Sequence, residues 1–143
     1  MPPGHVLVPL DGSPLSDAAL DHALETFDCR LTVLNVVTPL DGPMSEGGVL
    51  DAGEERMVSA EERADAMVDR ASDRAAEADR EIETAVEAGD PAETILEFVD
   101  SGDVDHVVIG GHGGERNALA RRLLGTVATT VVGEAPVTVT VVR

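Results

Sequence analysis

The 143-residue chain carries 28 acidic against 10 basic side chains, a formal charge of −18, and 43% apolar residues, which suits a single domain over 1–143 with a continuous core. The acidity leaves no basic face for nucleic acid, no apolar run reaches the ~20 residues a bilayer span needs, and one cysteine excludes an internal disulfide framework. Every basic residue is arginine, so a phosphate loop built on lysine and pyridoxal chemistry on a Schiff-base lysine are both excluded.

Residues 5–10, "HVLVPL", read as strand 1, followed by the turn Asp11-Gly12. Ser13 before Pro14 is an N-cap with proline at the first helical position, and Leu15, Ala18, Ala19 and Ala23 follow at helical spacing. Residues 31–37, "LTVLNVV", are strand 2. The next stretch, 38–53, holds four glycines and two prolines and is expected to be a mobile lid on the ligand side of the sheet.

A long helix is predicted over 54–80, with Met57, Ala64, Val68, Ala71, Ala75 and Ala78 on one face. Residues 81–88, "EIETAVEA", alternate as strand 3 and place Ile82, Thr84 and Val86 on one side. Asp90-Pro91-Ala92-Glu93 is a capping box opening a helix along Ala92, Ile95, Leu96 and Val99, which Gly102 can end. Residues 105–110, "DHVVIG", are strand 4; a helix around 126–132 and the last strand, "PVTVTVV", complete the chain.

Strands alternating with helices predict an α/β fold: an open, five-stranded parallel sheet, doubly wound, with helices on both faces. Strands 1 and 4 are apolar on both faces and suit the centre, whereas the glutamates of strand 3 suit an edge. The order 3-2-1-4-5 satisfies these patterns. It sets strands 1 and 4 side by side, and such sheets hold ligands at that switch point, beyond the carboxyl ends of the strands.

The stretch "IGGHGGERNALARRLLGT", residues 109–126, falls at that point and carries a charge of +2 in an acidic chain. Gly110, Gly111, Gly113 and Gly114 could form an anion-binding nest, and Gly125-Thr126 a second donor turn at the start of the last helix. Two such turns fit a polyphosphate better than a single phosphate.

With this fold order the chain resembles the universal stress protein family over essentially its whole length. The residues that carry the resemblance are "HVLVPLDGSPLSDAALDHAL", "LTVLNVV", "HVVIGGHGG", "RRLLGTV" and "APVTVTVVR". Nucleotide-binding members show a G-x2-G-x9-G-[ST] motif around ATP phosphates and an aspartate after strand 1 that recognises adenine. The resemblance implies those roles for Gly110, Gly113, Gly125 and Thr126, and for Asp11. It adds Val36 and Ile109 as apolar contacts to base and ribose, and Val127 as a backbone donor. The implied ligand is ATP, with AMP as the alternative, and Mg²⁺ carried on the phosphates. In one respect the chain departs from the pattern: eleven residues separate Gly113 from Gly125, where the family has nine.

Each residue also has a plainer role. Asp11 could help cap the first helix, Thr126 could be an N-cap, and Arg121 and Arg122 suit solvated charges. The histidines show no i, i+4 pairing that would suggest a metal site, and Cys29 suits a small core residue. No base stands beside a nucleophile, so the sequence makes no positive case for catalysis beyond slow ATP hydrolysis.

Three readings follow: an ATP-binding regulatory stress-response protein that acts on an unidentified protein partner; a homodimeric interaction protein of the same fold that has lost nucleotide binding through its longer loop; and, with least support, an enzyme acting on a nucleotide. The uncharged strand 5, Val137–Val142, predicts a homodimer through that edge, as universal stress proteins commonly form. The acidic, lysine-free composition, with Phe27 and Phe98 as the only aromatics, looks like that of a halophilic cytoplasmic protein with no membrane association.

Overall fold

The structure, a computed structural model, describes residues 3–38, 50–111 and 125–143, with the backbone alone over 50–59. The chain alternates β1 (His5–Leu10), α1 (Pro14–Thr26), β2 (Arg30–Val37), α2 (Leu50–Glu77), β3 (Glu83–Ala88), α3 (Pro91–Ser101), β4 (His106–Gly110), α4 (Thr126–Glu134) and β5 (Thr138–Val142). All strand pairs are parallel, in the order β3-β2-β1-β4-β5 expected from the patterning.

Strand alternation divides the core in two. Val6, Val8 and Leu10 of β1 face Leu20 and Ala23 of α1 and Ala71 and Ala75 of α2. Leu7, Leu34, Val107 and Ile109 face Ile95 and Val99 of α3 and Ala128 and Val131 of α4. The sheet is therefore covered on both sides, and β1 is buried along its whole length. Cys29 packs against the α1–α2 core beside Phe27, and burial raises its thiol pKa.

Two caps act as their sequences predict. Ser13 Oγ accepts from Ser16 N at 3.1 Å, with Pro14 beside it. Asp90 accepts from Glu93 N at 3.0 Å, with Pro91 next. Several boundaries differ from expectation. The helix α2 begins at Leu50, so the last four residues of the expected lid are helical, and its remainder over 39–49 lies outside the described residues. A helix established downstream gains one hydrogen bond per added residue, which offsets the ~1 kcal/mol cost of Gly53.

At its other end α2 stops three residues early. Asp79 turns left-handed (φ 61°), Arg80 N donates to Ala75 O at 2.8 Å, and Asp79 N donates to Ala76 O at 3.0 Å. This is a Schellman motif with aspartate in the position glycine usually takes. It carries Ala78 off the buried face into solvent. The ladder of β3 starts at Glu83 rather than Glu81: Ile82, just before it, packs on the α1–α2 core, but Thr84 is exposed and Val86 is 37% exposed. Ala85 instead packs on the opposite face. The final ladder starts at Thr138, after Pro136 and Val137.

Arg80, just past this turn, closes the end of α1. Nη1 donates to Leu24 O (2.9 Å) and Phe27 O (2.6 Å), and Nη2 donates to Cys29 O (3.0 Å). One planar guanidinium thus serves carbonyls that the helix terminus leaves unpaired. Arg80→Ala is expected to lower unfolding free energy by about 2 kcal/mol, and Arg80→Lys by less, because a charged donor to several carbonyls is lost. Urea denaturation in molar KCl reads the difference; an unchanged midpoint for Arg80→Ala would contradict this role.

Candidate functional site

The site begins with a backbone asymmetry in β1. Asp105 N donates to His5 O at 3.0 Å, so the polar groups of His5, Leu7 and Pro9 face β4 by strand alternation. Proline has no N–H. The β1–β4 register accordingly covers only Val6–His106 and Leu7–Val107, while β4 stays paired with β5 through Gly110–Val142. The carboxyl ends of β1 and β4 are thereby left unjoined.

A cavity of about 990 Å³ occupies this end of the sheet. Leu34, Val36 and Ile109 supply apolar lining from the strands, Pro91 and Ile95 from α3, and Ala60, Ala64 and Met67 from α2. Gly125, Thr126, Val127 and Ala128 bring in the start of α4. Asp11 and Arg63 are the charged residues of the lining among the described residues.

Eight residues expected at a ligand site line this one cavity: Asp11, Val36, Ile109, Gly110, Gly111, Gly125, Thr126 and Val127. Gly113 lies outside the described residues, as do His112, Gly114, Arg121 and Arg122. Asp11 also serves its turn, since Oδ1 accepts from Ser13 N at 2.9 Å, leaving Oδ2 without a partner among the described residues. Gly12 takes φ +84°, and a Cβ there would lie 3.1 Å from Met67 Cε. The turn after β1 and the wall formed by α2 are in contact.

The glycines divide their work differently from a simple nest. A Cβ on Gly110 would stand 2.9 Å from the Leu15 carbonyl carbon, so this glycine lets the backbone of α1 lie against β4. Gly111 N donates to Val142 O at 2.8 Å, and Gly125 N donates to Gly111 O at 2.5 Å. Both N–H groups are committed within the fold. The donors that remain among the described residues are the first N–H groups of α4, those of Thr126, Val127 and Ala128. The first bond of that turn is Thr129 N to Gly125 O at 2.9 Å, and the N-cap Gly125 brings no side-chain bond. Unpaired N–H groups at the positive end of a helix, beside a cavity, suit an anion.

Residues 3–143 match the Universal stress protein family. The chain belongs to that family. UspA from Lactobacillus plantarum is 24% identical with a TM-score of 0.84, over 100% of this chain and 99% of that one. A universal stress protein in complex with cAMP is 28% identical, TM-score 0.71, over 100% and 99% of the two chains. A universal stress protein family protein from Arabidopsis thaliana with AMP bound is 19% identical, TM-score 0.71, over 98% and 91%. None of the curated proteins matches the chain.

Among the residues of this universal stress protein's cavity outside the motif read from the sequence, three carry side chains of chemical interest. Arg63 and Met67 come from α2, one turn apart on one face, and Asn35 comes from β2. Within an amphipathic helix, Arg63 reads as a solvated charge and Met67 as core, so periodicity does not mark either. Asn35 did carry a signal: it is a polar side chain inside an apolar strand.

The close approach at Gly110 yields a test. Gly110→Ala is expected to cost about 1–3 kcal/mol in ligand-free protein, because its new methyl meets backbone rather than a movable side chain. Thermal melting without ligand checks it; an unaltered melting temperature would mean that α1 has room to spare.

Proposed function

We propose that this universal stress protein binds an adenine nucleotide, ATP or AMP, in the crevice between the ends of β1 and β4. The observation that carries the reading is the start of α4: N–H donors without acceptors among the described residues, set in the wall of a cavity that also presents the Asp11 carboxylate. Its volume falls at the upper end of the range of small-molecule sites. The phosphates are assigned to Thr126, Val127 and the turn that includes Gly113, with Mg²⁺ carried on them. Base and ribose are assigned to the slot of Val36 and Ile109, beside Asp11. The relatives holding cAMP and AMP support an adenine nucleotide as the ligand class. Its occupancy then tunes contact with a regulatory protein partner.

The alternative, an interaction protein without nucleotide, draws on the eleven-residue spacing between Gly113 and Gly125. Titration calorimetry with ATP and AMP, with Mg²⁺ in molar KCl, separates the two. Thr126→Pro removes an N–H and a hydroxyl at a position where proline suits a helix start, since Gly125 before it is extended (ψ 166°). Its affinity for ATP is expected to fall about tenfold or more at unchanged melting temperature. Wild-type protein that takes up neither nucleotide favours the alternative.

We further propose a homodimer through β5. Residues Thr138–Val142 carry no charge, and their side chains are partly exposed at the sheet edge. Gly111 N bonds Val142 O, so by alternation the N–H groups of Val139 and Val141 face away from β4. Val139→Pro therefore removes an outward donor while sparing the β4 ladder. It is expected to shift light scattering in molar KCl from dimer to monomer, whereas Val139→Ile stays dimeric. A monomeric wild type, or a proline variant that remains a dimer, rejects this edge as the interface.

A further inference from the structure

Asn35 stands in β2 opposite Leu10 of β1, is 6% exposed, and lines the cavity. Its Nδ2 donates to Leu10 O at 2.8 Å and also to Met67 Sδ at 3.2 Å. Those two bonds use both amide hydrogens. They also set the amide's orientation, because a flipped side chain would press Oδ1 against Leu10 O, acceptor against acceptor. Oδ1 is left on the other side of the group, without a donor among the described residues. A buried acceptor with no donor is costly and uncommon in folded proteins. The residue that carries this one lines a ligand-sized space.

Its surroundings narrow what could supply the donor. Beside the Asn35 amide the lining is the apolar Leu10 and Met67, on the α1–α2 side of the sheet, which suits a flat base rather than a sugar or phosphate. Asp11, exposed and with Oδ2 unpartnered among the described residues, suits ribose hydroxyls here rather than the adenine role that the resemblance implies, and the start of α4 suits phosphate. Of the groups on an adenine nucleotide, the exocyclic amine is the donor that belongs in an apolar slot. Resting on the nucleotide reading above, we infer that Asn35 Oδ1 accepts a hydrogen bond from the exocyclic amine of the bound base, which makes Asn35 a specificity residue. Met67 is then a positioning residue, whose sulfur helps hold the amide so that its oxygen is presented.

Titration calorimetry in molar KCl tests this with AMP, purine riboside 5′-monophosphate, which lacks only the amine, and 2′-deoxy-AMP. The wild-type chain is expected to prefer AMP over the amine-free analogue about tenfold. Asn35→Leu should bring that ratio near one while leaving any penalty for 2′-deoxy-AMP as it was. Equal binding of AMP and the amine-free analogue by the wild type overturns the inference and leaves nucleotide binding standing. A variant that keeps the amine preference, or that loses the 2′-hydroxyl penalty instead, also overturns it. A wild type that binds no AMP overturns both. Because Asn35→Leu also deprives Leu10 O of its donor, the ligand series on the unaltered chain is a test in its own right.

Discussion

At Pro9 the backbone of the central strand has no hydrogen to give to β4, and the geometry of the site follows from that. The two strands part after Leu7–Val107, although β4 continues to pair with β5 as far as Gly110. On the other side of β1 the pairing with β2 runs to Leu10, and the carbonyl there is met by the Asn35 side chain. Proline in a central strand ordinarily weakens a sheet. Here it falls where the connections leave for opposite faces, so the missing bond opens a crevice rather than a defect within the core.

The ends of β4 and β5 and the start of α4 meet at one point. Gly111 is tied to Val142, and Gly125 is tied to Gly111.

Much of the fold was legible because local chemistry and burial agreed. "HVLVPL" matches β1 from end to end, and Ser13-Pro14 and Asp90-Pro91 open their helices. Where local chemistry was ambiguous, the reading failed: Gly53 looked like loop but lies within α2, and Asp79 ends that helix without the glycine that usually announces it. The motif side of the cavity was legible because glycine turns and a switch point coincide. Its α2 wall was not. A 28-residue helix is about 42 Å long, whereas the eight residues of β2 span about 27 Å, so α2 is longer than the sheet it covers. Its Ala60–Met67 segment borders the ligand space, and the overhang depends on helix and strand lengths together rather than on any residue.

A chain with a charge of −18 is an unpromising host for a phosphate anion, and the arrangement of its few cations sharpens the problem. Arg30 pairs with Glu83, Arg74 with Asp17 and Asp21, and Arg80 is committed to the end of α1. Those arginines knit the fold rather than face the cavity, where Arg63 is the cation among the described residues. On the nucleotide reading, backbone donors resolve the conflict. Long-range repulsion decays with the Debye length, about 10 Å at 0.1 M salt and about 3 Å at 1 M, whereas an N–H in contact with an anion keeps its short-range bond. In strong salt the net charge of the surface therefore counts for little inside the crevice, and the N–H groups of α4 without acceptors among the described residues count for most. A site built on backbone rather than on lysine is the kind that an acidic, lysine-free chain can maintain.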